Sequence, residues 1–132
     1  MLTAEQEAWL KDLETTDAKQ GKSALRSTTD EFCCLGRACV VLDVEASIGE
    51  KYISNTATQV WFYNGSWAIL SPNTQRRLGL KSGSGGFGHP VHLNGVVYHS
   101  LANMNDAGLT FKEIAAFIRA NPNEVFKCDS GS

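Results

Sequence analysis

The sequence is short of surplus charge of either sign. Lys and Arg number 12 against 14 Asp and Glu, charged residues make up 20%, and the formal net charge is −2. That balance excludes a histone-like DNA binder, whose affinity rests on an excess of cations over phosphates, so nucleic acid is not an expected partner. No apolar run approaches the roughly 20 residues that span a bilayer, so no membrane partner is expected either. The opening MLTAEQEAWLKDLE lacks the basic-then-apolar pattern of a secretory signal. The expected setting is therefore a cytoplasm. Paired C-x-x-C spacing is absent from the four cysteines, Cys33, Cys34, Cys39 and Cys128. Outside a secretory setting free thiols are the default, and a bridge between adjacent Cys33 and Cys34 would be strained. What is present is a hydrophobic content of 42%, which excludes a disordered chain.

Helix signals stand near both ends. Thr3 and Gln6 form a capping box ahead of Trp9, Leu10 and Leu13, predicting a helix over 4–15. Lys19–Thr29 is polar and reads as a loop with a short strand at Ser23–Ser27. Asp30 is placed to cap a second helix whose apolar face runs through Phe32, Leu35, Cys39, Val40 and Val44, ending near Ala46. Gly36 inside it is a poor helix former, which points to close approach by another element. Ser71-Pro72 opens a short helix that Gly79 closes. Ser100 caps another through Asn105. Thr110 and Glu113 form a second capping box for a last helix to about Ala120, stopped by Asn121-Pro122. Leu101–Asn121 mimics a helix–turn–helix reader, but the chain is not basic, and a packing corner is the expected role.

Two Asn-Gly pairs predict two-residue hairpins. The first joins Val60–Tyr63 to Ser66–Leu70 through Asn64-Gly65. It sets Tyr63 opposite Ser66, Phe62 opposite Trp67, Trp61 opposite Ala68 and Val60 opposite Ile69. The second joins Pro90–Leu93 to Val96–His99 through Asn94-Gly95, with Val91, Leu93, Val96 and Tyr98 on one face and His92 and Val97 on the other. Both hairpins are expected in one antiparallel sheet, packed against N-terminal, central and C-terminal helices. The fold class is α+β, a single domain over 1–122 followed by a polar tail over 123–132.

Several residue groups are candidates for chemistry. Cys33 and Cys34 sit in the first turn of a predicted helix, where a thiol pKa falls. With a histidine base from His89, His92 or His99 they would suit a small cysteine hydrolase. Their ordinary role is core packing. Cys33, Cys34, Cys39, His89 and His92 are also potential zinc ligands, although the spacing is irregular and Cys39 lies on the apolar stripe. No metal or cofactor is expected. The run Ser82-Gly-Ser-Gly-Gly-Phe-Gly88 offers backbone N–H groups for a phosphate, with Gly85 and Gly86 at its centre, but it lacks the Gly-Lys-Ser/Thr of a Walker loop. It also reads as a flexible linker. Trp61 and Tyr63 share one hairpin face and would form a stacking platform if that face were open. Arg76 and Arg77 could then meet phosphate oxygens. Arg26 and Arg37 support either the hydrolase or the packing reading.

Two further stretches carry a resemblance. Phe32-Cys-Cys-Leu-Gly36 with Cys39, preceded by Lys19-Gln-Gly and Arg26, resembles a family of small uncharacterised bacteriophage and prophage proteins. That family closes on a motif like Leu-x-x-Leu-Asn-Asp-x-Gly-x-x-Phe-x-Glu-Ile-Ala. It stands here as Leu101-Ala-Asn-Met-Asn-Asp-Ala-Gly-Leu-Thr-Phe-Lys-Glu-Ile-Ala115, with Met104 as a conservative replacement. The aromatic middle lies outside the resemblance. The resemblance assigns no site residue. What it implies is a phage-type accessory protein acting in a bacterial host.

The residues predict a non-enzymatic protein that binds a small anionic nucleotide; what the phage resemblance implies in addition is a counter-defence role, sequestering a nucleotide signal of the host, and a homo-oligomer is expected. Trp61, Tyr63, Arg76, Arg77, Gly85 and Gly86 would form the site. The alternatives are a cysteine-dependent hydrolase using Cys33, Cys34 and His92, and an inhibitor that docks on a host protein.

Overall fold

The computed structural model describes residues 2–53 and 55–127. In chain order its elements are α1 (Ala4–Thr15), β1 (Lys19–Gln20), β2 (Glu31–Phe32), α2 (Cys34–Val41), β3 (Ala46–Ile53), β4 (Thr56–Tyr63), α3 (Pro72–Leu78), β5 (Gly86–Leu93), β6 (Val96–Ser100), α4 (Leu101–Asp106), α5 (Phe111–Ala120) and α6 (Pro122–Val125). The class is α+β, as the patterning predicts.

The capped helices form where their caps stand. Thr3 Oγ1 accepts from the Gln6 N–H at 3.1 Å and Gln6 Oε1 accepts from the Thr3 N–H at 2.9 Å. Thr110 and Glu113 repeat the arrangement at α5. Ser71 and Ser100 cap α3 and α4 through their hydroxyls. The core lies where α1 packs against α2 and α5, with α4 touching the same two helices. Trp9, Leu10, Leu35, Met104, Ile114 and Ile118 are completely buried there. Trp9 also donates its indole N–H to the Cys34 carbonyl at 3.0 Å, tying α1 to the start of α2.

The second helix is shorter than its apolar stripe predicts. Asp30 does not cap it. Asp30 sits at φ +59°, and the chain first pairs β2 with β1 in parallel. Cys33 supplies the cap instead, its Sγ accepting from the Gly36 N–H at 3.4 Å. The helix stops at Val41, and Asp43 turns at φ +53°. Gly36 meets the close approach its position implies: a Cβ there would stand 1.8 Å from the Leu25 carbonyl oxygen.

The second hairpin keeps its predicted register, with Leu93 opposite Val96, His92 opposite Val97 and Val91 opposite Tyr98. The first keeps only its turn. Asn64 and Gly65 have φ of +51° and +84°, as a type I′ turn requires, and Tyr63 pairs with Ser66. The expected pairs Phe62–Trp67, Trp61–Ala68 and Val60–Ile69 do not form. Both edges of this end of β4 are occupied. β3 pairs with β4 along one edge from Ala46–Tyr63 to Ile53–Thr56. On the other edge Ser27 bridges Val60 and the Trp61 N–H donates to the Arg26 carbonyl at 3.2 Å. Residues 23–27 thus contribute bridges rather than a strand. The two Asn-Gly turns lie in separate two-stranded sheets, not in one.

The tail also differs from its polar reading. α6 follows α5 directly, Val125 and Phe126 are buried, and Phe126 bridges Leu80. Cys128 and the rest of the tail lie outside the described residues. No described helix is long and apolar enough to cross a membrane.

Candidate functional site

The thiols of α2 are core groups. Cys33, Cys34 and Cys39 are free and buried. Burial pushes the Cys33 thiol up to about 11 and outweighs the Gly36 N–H that favours its thiolate. Burial pushes Cys34 well above the ordinary thiol range as well, and nearby Cys33 adds to it. Cys39 rises to about 12 for the same first reason. The expectation that the helix start would lower these pKa values is therefore corrected, because desolvation dominates. His92 stands exposed on β5, and no hydrogen bond joins it to a cysteine among the described residues. His89 lies instead beside Glu124, its Nδ1 3.1 Å from Oε2. The zinc set is likewise split between core thiols and strand histidines, and the described residues hold no cluster of three or more potential metal ligands.

The stretches carrying the phage resemblance meet at one buried side chain. Asn105 Oδ1 accepts from the Cys34 N–H at 3.1 Å and from Gln20 Nε2 at 2.7 Å. Its Nδ2 donates to the Gly21 carbonyl at 2.8 Å. Gln20 reaches on to the Leu109 carbonyl at 2.8 Å, and Cys34 Sγ donates to the Leu101 carbonyl at 3.7 Å. Among them, the bond to the Cys34 N–H satisfies a first-turn donor of α2. Through Asn105, β1, α2 and α4 are joined.

The aromatic residues do gather cations, but not the expected ones. Tyr63 is only 3% exposed, and its hydroxyl accepts from the Arg26 guanidinium at 3.2 Å. Arg26 Cζ lies 4.2 Å from the Trp61 ring centroid and 5.0 Å from that of Phe32. Arg37 Cζ lies 4.8 Å from the Phe32 centroid and binds Asp12 through two nitrogens, at 2.8 and 2.7 Å. The result is a stack of Trp61, Arg26, Phe32 and Arg37 joining β4, β2 and α2. Burial works against the Arg26 charge, but bonds to Tyr63 and Asp30 outweigh it and hold its pKa above the ordinary value. The bond to Asp12 does the same for Arg37. Arg26 Nε and Nη2 both donate to Asp30 Oδ1, at 3.0 and 2.7 Å. The Asp30 side chain is 64% exposed, so it is the outermost of these partners. Phe32 and Asp30 were not legible as members of this cluster, since only the tertiary fold brings them to Arg26.

The other expected ligand residues are used elsewhere. Arg76 donates to Asn73. Arg77 donates to the Leu42 carbonyl at 3.2 Å and to Glu5 at 3.1 Å. Among the described residues neither has a hydrogen bond, ion pair or cation–π contact with Trp61 or Tyr63. The glycine run is a packed connection rather than an open cradle or a linker. The Gly85 N–H donates to the Ser82 carbonyl and the Gly86 N–H to Ser82 Oγ. A Cβ on Gly85, at φ +71°, would stand 2.8 Å from the Leu101 side chain.

The family model called Domain of unknown function (DUF8296) matches residues 1–122. The chain belongs to that family. No curated protein and no solved structure matches the chain.

Proposed function

We propose that this protein binds a nucleotide-like anion at Arg26 without turning it over, and so sequesters it, as a phage-type accessory protein would in the bacterial cytoplasm. The observation that carries the reading is the fixed Arg26 guanidinium. Trp61, Phe32 and Tyr63 hold it in place, and its outer ion pair is to exposed Asp30. A phosphate oxygen can take the place of that carboxylate at little cost, because exposed ion pairs are worth only about 0.2–1 kcal/mol. The guanidinium fork then meets the phosphate with charge-assisted bonds. Buried thiols with raised pKa values support binding over cysteine catalysis. The test is a thermal-shift screen against linear and cyclic nucleotides, followed by recovery of the ligand after heat denaturation. Stabilisation by a nucleotide recovered intact supports sequestration. Recovery of a hydrolysed product contradicts it.

One observation favours docking on a host protein as a second reading. The β3–β4 ribbon presents Ile48 at 53% and Tyr52 at 71% exposure, and among the described residues β3 pairs with β4 alone. Its free edge is a template for an added strand. Capture of a single host protein that a proline at an edge position of β3 abolishes, together with no response to nucleotides, would favour this reading.

A further inference from the structure

A cleft of about 270 Å³ opens where the 23–24 loop, the start of α2, the 68–69 segment and α4 meet. Ala24, Ala68, Ile69 and Ala102 form its apolar walls, and three of the four are alanines, which leaves the space unfilled. Asp106 also lines it. Asp106 Oδ1 accepts from the Ser23 N–H at 3.1 Å, which fixes the carboxylate against a backbone turn at φ +70°. Among the described residues no Lys, Arg or His pairs with Asp106 within 4.0 Å. The other polar contributors, Ser23 and Cys33, bring no positive charge.

We infer that this cleft binds a small aliphatic amine, its ammonium group on Asp106 and its alkyl body against the alanine walls. The charge argument and the packing argument agree. A carboxylate without a cation, held at an apolar recess, favours a ligand with one positive end and a short apolar stem. The anion site at Arg26 uses none of these residues, so this inference stands apart from it.

The test is an NMR titration of the full chain with n-butylamine, with n-butanol as the uncharged control. Saturable shifts of the Ala24, Ala68 and Ala102 methyl groups with the amine alone are expected. Asp106 is exposed; Asp106→Asn keeps an oxygen for the Ser23 N–H and should weaken binding roughly two- to fivefold, the worth of an exposed ion pair. Ala68→Leu should abolish it by filling the recess while leaving Asp106 in place. Unsaturable shifts, equal shifts with n-butanol, or unchanged affinity in a folded Asp106→Asn variant would each overturn the inference. Binding of N-acetyl-lysine methylamide but not of free amines would overturn it too, by making the occupant a peptide side chain.

Discussion

A buried donor that loses its acceptor costs about 1–3 kcal/mol, and Asn105 is the acceptor for the Cys34 N–H. Asn105→Ala should therefore destabilise the fold by at least about that much, since Gln20 and the Gly21 carbonyl lose partners as well. Chemical denaturation checks it, and an unchanged midpoint would remove Asn105 from its joining role. The thiols make a second prediction. The folded state holds protons on Cys33 and Cys39 up to about 11 and about 12, against an ordinary value of 9.0. Between those values the folded state binds more protons than the unfolded one, so stability falls as pH rises through that window and is insensitive to these groups below it. Iodoacetamide at neutral pH should label Cys33, Cys34 and Cys39 only after unfolding. Rapid native labelling of any of them would contradict their placement. Burial of Cys39 was legible from its helical stripe. The state of Cys33 and Cys34 was not, because a position in a first turn says nothing about what covers it.

Elements were legible in proportion to how local their signals are. α1, α3 and α5 begin and end at their caps because a cap acts within a few residues. The β5–β6 register follows from a turn that is also local. β3 is not legible because Ala46–Ile53 sets Gly49, Glu50 and Lys51 among its apolar residues, and the two positions between it and β4 lack the Asn-Gly pair that marks the other two turns. Once β3 and residues 26–27 occupy both edges of β4, the first hairpin has no edge left to extend along. α2 was misjudged at its start because the β1–β2 pairing claims residues 31–32 first. Gly36 shows a local oddity reporting a tertiary contact. Gly36→Ala would drive a methyl group into the Leu25 backbone, an overpacking that costs about 1–3 kcal/mol or more. A melting temperature equal to that of the parent would show that α2 and the 25 segment can separate freely.

At the scale of the molecule, the candidate site was legible in part. Trp61 and Tyr63 do lie beside a guanidinium, but it is that of Arg26, since the fold brings residues 26–27 alongside β4 and ties Arg76 and Arg77 down on α3. Nothing in sequence spacing could rank Arg26 above Arg76, because the ranking depends on which distant segment lies along the second edge of β4. The stack also gives the central claim a signature of opposite signs. Asp30→Asn removes a competing carboxylate and should tighten nucleotide binding roughly two- to fivefold, the worth of an exposed ion pair. Arg26→Lys keeps a charge but loses the planar fork, and should weaken binding roughly tenfold or more. Calorimetric titration of the parent and these two variants with the best nucleotide from the thermal-shift screen is the most direct test. The account predicts tighter binding for Asp30→Asn, weaker binding for Arg26→Lys, and no heat of turnover. Equal affinities in all three folded proteins, or no binding by the parent, would contradict it.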